Sequence, residues 1–280
     1  MFDKLRIYKG LDVPITPKIS VKQPTLSEIL EFGERDYFSA VRTLTSCGAD
    51  MKWQLWEQGI DYTKISDYDL FIKLIWRILG SQKKMIEEAQ LSVEGQKMLS
   101  EFTDVDLEKL MINPLRLVLN IDFGNFDVYE ENMPTAEEGG EQPKRIILYN
   151  RKDDITIDQA VYHQIVDVVR DIHGFKRNNE MPANEITKMD LIEDARDEME
   201  ATRYKPFESI LRPLISYLNV KCGLCGSDQI WNMKINQFFY DIKKAGGIKE
   251  TELLLQGAYS GFASLKGVDS EKLNWFSDVM

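Results

Sequence analysis

The sequence predicts a mainly α fold of the α+β class. It reads as a multi-helix body with a small N-terminal extended element and a short antiparallel β-meander in its middle. Three observations point there. Apolar residues recur at helical spacing through most of the chain, as in Ile157, Ala160, Val161, Ile165, Val168, Val169 and Ile172. Strand-like stretches are confined to the first 23 residues and to residues 115–150. Over 280 residues, 43% hydrophobic and 10% aromatic side chains supply a sizeable core, and 29% charged residues solvate it.

The elements follow in order. LRIYK (5–9) and PKISVKQ (17–23) alternate β-branched and polar residues around prolines, so the chain is expected to open extended. Thr25 followed by Glu28 has the spacing of a capping box and should start a helix. Its stripe of Leu26, Ile29, Leu30 and Phe32 continues in Tyr37, Phe38, Val41 and Leu44, with Gly33 as the interruption. Residues 51–59 read as helical, and so do residues 65–80, with Ser66 capping and Gly80 closing. Two short helices should follow, at 84–91 and 93–102.

LRLVLNIDF (115–123) and FDVYE (126–130) read as strands joined by the turn Gly124-Asn125, and RIILYN (145–150) as the third strand. The intervening loop 131–144 holds two prolines, two glycines and four acidic residues, and reads as solvated and flexible. A second capping box, Thr156 with Gln159, should open the next helix. Four further helical stretches, around 188–205, 205–218, 227–247 and 249–261, complete the body, and DSEKLNWF closes it. Three regions result: 1–111, extended element plus helices; 112–152, meander with the acidic loop; and 153–280, a C-terminal helical region.

The net charge is −11, and it is uneven: residues 101–200 carry 24 acidic side chains against 11 basic ones. No basic stripe exists to neutralise phosphates, which excludes a nucleic-acid partner. The start, MFDKLRIYKG, lacks the apolar segment of a signal peptide, and LFIKLIWRIL (70–79) is too short and too charged to span a bilayer. With three cysteines the chain has no disulfide framework. The expectation is a cytoplasmic protein that does not engage membranes.

Chemistry has few candidates. Cys222 and Cys225 form a C-x-x-C within KCGLCG, the spacing of zinc knuckles and thiol–disulfide sites. Zinc needs two further ligands, and Cys47, His163 and His173 are the candidates. The histidines are ten apart on one predicted helix, or ~15 Å along its axis, so both cannot reach one ion. No βαβ unit surrounds the pair, as redox chemistry of the thioredoxin type requires. The favoured reading is a glycine-bearing turn between two helices, Ser227 capping the second, with Cys222 and Cys225 as the residual metal candidates. His163, beside the apolar face of its helix, reads as a packed core or boundary residue. His173, at its helix's C-terminal end, reads as a partly charged imidazole favoured by the dipole.

The acidic run Asp190, Glu193, Asp194, Asp197, Glu198 and Glu200 interleaves with Lys188, Arg196 and Arg203, and reads as a solvated helix face rather than a magnesium site. No phosphate-binding glycine loop, nucleophile elbow or H-E-x-x-H occurs. The expectation is a protein that is no enzyme and holds no cofactor. Interaction is left, and the C-terminal aromatics Phe238, Tyr259, Phe262, Trp275 and Phe276 are the candidate partner-binding residues.

The order of motifs resembles a group of tail-region proteins of phages and prophages of Gram-positive bacteria. KQPTLSEILEFGERDYFSAVRTLTS and DMKWQLWEQGIDYTKISDYDLF carry the resemblance at the N-terminal end. KPFESILRPLISYL, IWNMKINQFFYDIKK, LLQGAYSGF and KLNWF carry it at the other, so that about half the chain is covered. These are packing motifs, with no catalytic residue to transfer. The resemblance implies a tail assembly chaperone, which holds the apolar, helix-prone tape measure protein while tube subunits polymerise. Its partner would be that protein or a tube or baseplate component, with homo-oligomerisation left open. A structural virion subunit of the tail, baseplate or neck is the first alternative, and a zinc-binding or redox protein built on the cysteine pair the second.

Overall fold

The computed structural model describes residues 4–91, 115–132, 144–222, 228–262 and 266. Among them are ten α-helices and two small antiparallel sheets, a mainly α architecture of the α+β class. The helices are α1 (Lys4–Tyr8), α2 (Leu26–Phe32), α3 (Glu34–Thr45), α4 (Lys52–Glu57), α5 (Asp67–Leu91), α6 (Gln159–His173), α7 (Glu185–Thr202), α8 (Leu211–Cys222), α9 (Asp228–Trp231) and α10 (Ile235–Tyr259). Strands β1 (Val13–Pro14) and β2 (Ser20–Val21) form one hairpin; β3 (Asp127–Asn132), β4 (Lys144–Asn150) and β5 (Ile155–Ile157) form a meander in that order.

The core is organised by α6. Its apolar stripe, Tyr162, Ile165, Val166, Val168, Val169 and Ile172, is buried. Around it pack Tyr37, Val41 and Leu44 of α3, Tyr68, Phe71 and Ile75 of α5, Ile157 of β5, and Ile235 and Phe238 of α10. This cluster draws on all three regions distinguished in the sequence. Two of its tyrosines are satisfied by backbone: the Tyr68 hydroxyl donates to Ile157 O at 2.6 Å and the Tyr162 hydroxyl to Leu44 O at 2.9 Å. A second, smaller core lies where α4 meets α7, built on Leu55, Tyr62, Leu70 and Ile192.

Local signals in the sequence are realised where they agree with burial. Thr25 and Glu28 form the reciprocal capping box, and Gly33 at φ +105° separates α2 from α3. The Ser66 hydroxyl accepts from Asp69 N and so caps α5. Three strands make an antiparallel meander, although not the three expected.

Several expectations are corrected. Residues 5–8 are helical and Lys9 lies in the turn that follows, so this stretch is not extended. Only Ile7 of α1 is buried, and the turn closes where Gly10 sits at φ +76°. Tyr8 meets Tyr240 edge to face at 5.0 Å, so docking on α10 overrides the alternating pattern. Residues 115–118 form a turn rather than a strand, with Val118 N and Leu119 N both bonded to Leu115 O at 2.8 Å. Leu115, Val118 and Leu119 are buried together, which is helical i, i+3, i+4 spacing inside an apolar run of ambiguous period. Gly124-Asn125 belongs to a short 3₁₀ turn (Phe123–Asn125) before β3, not to a hairpin.

Gly80 does not close α5, which runs on to Leu91 and absorbs the separate helix expected at 84–91. Gly246 and Gly247 likewise lie inside α10, which joins two expected helices. Glycine inside a helix costs only about 1 kcal/mol, which packing elsewhere along the helix offsets. The cap of α6 is Asp158, whose carboxylate accepts from Val161 N at 2.9 Å, and not Thr156. Thr156 lies in β5 between buried Ile155 and Ile157, where strand alternation buries both isoleucines. The second helix expected at 93–102, Ser227 and most of the acidic loop, 133–143, lie outside the described residues.

Candidate functional site

An apolar groove of about 530 Å³ lies between α2 and α8, closed at one side by α9. Leu26 forms part of its floor and is buried. Leu30 and Val220, which line it, are 63% and 78% exposed, and Trp231 is 36% exposed at its end. Leu211 and Ile215 of α8 complete the apolar lining.

Two polar knots hold the walls apart. Glu34, the first residue of α3, reaches across to the start of α8. Its carboxylate accepts from Ser209 Oγ at 2.6 Å, Ile210 N at 2.6 Å and Leu211 N at 2.9 Å. Those amides are among the donors that a helix start leaves without intrahelical partners, and an anion there suits the dipole. Pro213 sits in that same first turn, where its missing N–H is no loss. At the other end, Leu26 N donates to Met233 O at 3.1 Å and Ile235 N to Pro24 O at 3.0 Å, tying α2 to the α9–α10 junction. Lys234 Nζ lies 3.9 Å from the Glu28 carboxylate of the capping box. The groove is therefore braced by the Glu34 carboxylate on backbone amides at one end and by backbone–backbone bonds at the other, and is apolar between them.

Of the aromatic residues singled out in the sequence, Phe238 is fully buried in the principal core and offers no surface. Tyr259 and Phe262, at the far end of α10, are 88% and 94% exposed, and neither lines the groove. Trp275 and Phe276 lie outside the described residues, as does Cys225; Cys222 is the last residue of α8, its side chain not described. The groove residues Leu30, Val220 and Trp231 were not distinguished by the sequence. Leu30 sits in an apolar stripe that reads as core, and nothing local marks which member of the stripe the fold leaves uncovered.

The other candidates have structural partners. Cys47 is buried, its thiol 3.3 Å from Asp50 Oδ2 and 3.3 Å from Asn178 O, and burial pushes the thiol up. His163 is exposed. His173 is the corrected case: it is buried, not a charged end-of-helix residue. Its Nδ1 donates to Val169 O at 2.7 Å, so Nε2 is the bare nitrogen and accepts from the Tyr37 hydroxyl at 2.7 Å. Burial pushes its pKa down to about 4, opposed by the bond to Val169. Among the described residues no group of three or more His, Cys, Asp or Glu is placed to hold a metal ion. The acidic side chains of α7 from Asp190 to Glu200 are exposed, with Arg196 against Asp197, while Lys188 turns inward to Asp61 at 2.9 Å.

An ion pair between the exposed Arg177 and the buried Asp67 fixes the link from α6 to α7. Arg177 Nε and Nη2 donate to the two oxygens of Asp67 at 2.8 and 2.9 Å, and Arg170 lies 3.7 Å from the same carboxylate. Burial raises the Asp67 pKa, but the two guanidinium groups outweigh it and hold the group below its ordinary value. Among the described residues no helix is long and apolar enough to cross a membrane.

Compared with known proteins, the chain matches no family model, no curated protein and no solved structure.

Proposed function

We propose that this chain is a non-enzymatic phage tail assembly protein, chaperone-like, that binds a tail component such as the tape measure protein in the α2–α8 groove. The observation that supports the reading is the groove itself: an apolar trough with Leu30 and Val220 exposed and its walls braced at both ends. Exposed apolar surface organised in one trough suits a helix laid apolar face inward. The resemblance of both ends of the sequence to phage tail-region proteins supplies the class of partner, a long helix-prone chain that needs cover before assembly. The two segments that line the groove, LSEILEF and LRPLISYL, both fall within the stretches that carry this resemblance.

The test is a pull-down with tagged protein from cells producing the tail proteins, beside the double variant Leu30→Asp, Val220→Asp. Both residues are exposed, so the variant should stay within about 0.5 kcal/mol of the parent in stability. The tape measure protein should be recovered by the parent and lost with the variant. Failure to recover any tail protein would remove the assembly reading. Equal recovery by both forms would remove the groove. Stoichiometric copies in purified particles would instead establish the structural-subunit alternative.

A further inference from the structure

A second concavity lies between α1, the end of α6 and the first turns of α10, and shares no residue with the groove. We infer that it is a binding site for a small aromatic anion, an aryl group carrying one carboxylate or phosphate head. Its volume is about 220 Å³, below the roughly 300–1,000 Å³ of pockets that take drug-sized ligands, so it has room for one small molecule.

Chemistry selects the ligand class. Three exposed lysines from three different elements, Lys4, Lys176 and Lys243, converge on the cavity. Lys176 and Lys243 make no hydrogen bond or ion pair among the described residues. Arg170 also lines the site, but its guanidinium is engaged by Thr45 O at 2.7 Å and by Asp67. One carboxylate, Asp171, stands against these cations. Burial and the neighbouring Asp167 raise its pKa, opposed by Lys4. In a chain of net charge −11, Lys176 and Lys243 thus present positive charge at one opening, beside the Asp171 and Asp241 carboxylates.

The walls are aromatic. Tyr8 and Tyr240 meet edge to face at 5.0 Å, the Tyr8 hydroxyl donating to Asp241 at 3.2 Å, outside the lining. Phe175 stacks on His173 with centroids 5.4 Å apart and presents its ring from the opposite element. The geometry is built rather than incidental. Gly174 ends α6 at φ +66°, a left-handed turn that directs Phe175 and Lys176 to the cavity. Asn236 bonds Ile172 O at 3.0 Å and locks α10 to that turn. Buried Ile7 supplies the apolar floor. An aryl ring fits between such walls, and an anionic head fits at the lysines.

The experiment is calorimetric titration of the full chain with phenyl phosphate, inorganic phosphate and phenol, repeated on the double variant Lys176→Ala, Lys243→Ala. Saturable one-site binding of phenyl phosphate is expected, with inorganic phosphate and phenol each at least about tenfold weaker. The double variant should lose about tenfold or more in affinity, the scale of charge-assisted hydrogen bonds. Both lysines are exposed, so folding is not at stake. No saturable binding of phenyl phosphate overturns the inference. So does binding unchanged in the double variant, or equal affinity for inorganic phosphate, which would place an ion on surface lysines and leave the cavity unused.

Discussion

Lowering the pH from 7 to 5 should cost this protein about 2 kcal/mol of unfolding free energy through a single side chain, His173. The imidazole is buried and neutral, its Nδ1–H spent on Val169 O and its Nε2 on the Tyr37 hydroxyl. Its pKa is about 4 in the folded chain, against about 6.5 unfolded. Between those values the unfolded state binds the extra proton, so stability rises with pH in that window. Full stability from this group is present above pH 6.5 and drains as pH falls toward 4. At about 1.36 kcal/mol per unit, the 1.5 units from 6.5 to 5 give about 2 kcal/mol.

The assay is urea unfolding at pH 7 and pH 5 for the parent and for His173→Gln. The variant keeps a polar side chain but has no titrating ring, so the pH-dependent loss should be smaller in it by about 2 kcal/mol. The same slope in both proteins would refute the argument. If the variant does not fold, the His173 ring resonances of the parent serve instead, assigned by means of His163→Gln. They should stay those of a neutral imidazole down to pH 5, and a titration midpoint near 6.5 would be equally fatal.

Two further predictions concern stability. Gly48→Ala should destabilise by about 1–3 kcal/mol, because a methyl there runs into the backbone carbonyl oxygen of Tyr62. At Gly80, by contrast, a methyl meets open space, and alanine there should gain up to about 1 kcal/mol; thermal unfolding of the two variants checks the opposite signs. Arg177→Ala should cost about 2–3 kcal/mol, since among the described residues the buried Asp67 carboxylate then keeps Arg170 alone as an ion-pair partner, at 3.7 Å. Denaturant unfolding checks it, and a loss under ~0.5 kcal/mol would mean that solvent already carries the Asp67 charge.

The sequence alone determined the parts of this protein that depend on near neighbours along the chain. The Thr25–Glu28 box, the break at Gly33, the Ser66 cap and the apolar face of α6 are each set by residues within a few positions of one another. The mainly α class follows from the same periodicity. Where two local readings competed, only tertiary packing chose. Residues 115–118 became a turn because Leu115, Val118 and Leu119 face one core, and Thr156 yielded the cap to Asp158 because β5 buries Ile155 and Ile157. The candidate sites were the least legible. Leu30 and Val220 are apolar residues like their core neighbours, and their exposure is a property of the gap between α2 and α8. Lys4, Lys176 and Lys243 are more than 60 positions apart in sequence, and only the packing of α1 and α10 against the end of α6 brings them to one opening. Periodicity fixes which face of a helix is apolar; whether that face is covered depends on elements that the chain brings back from far away.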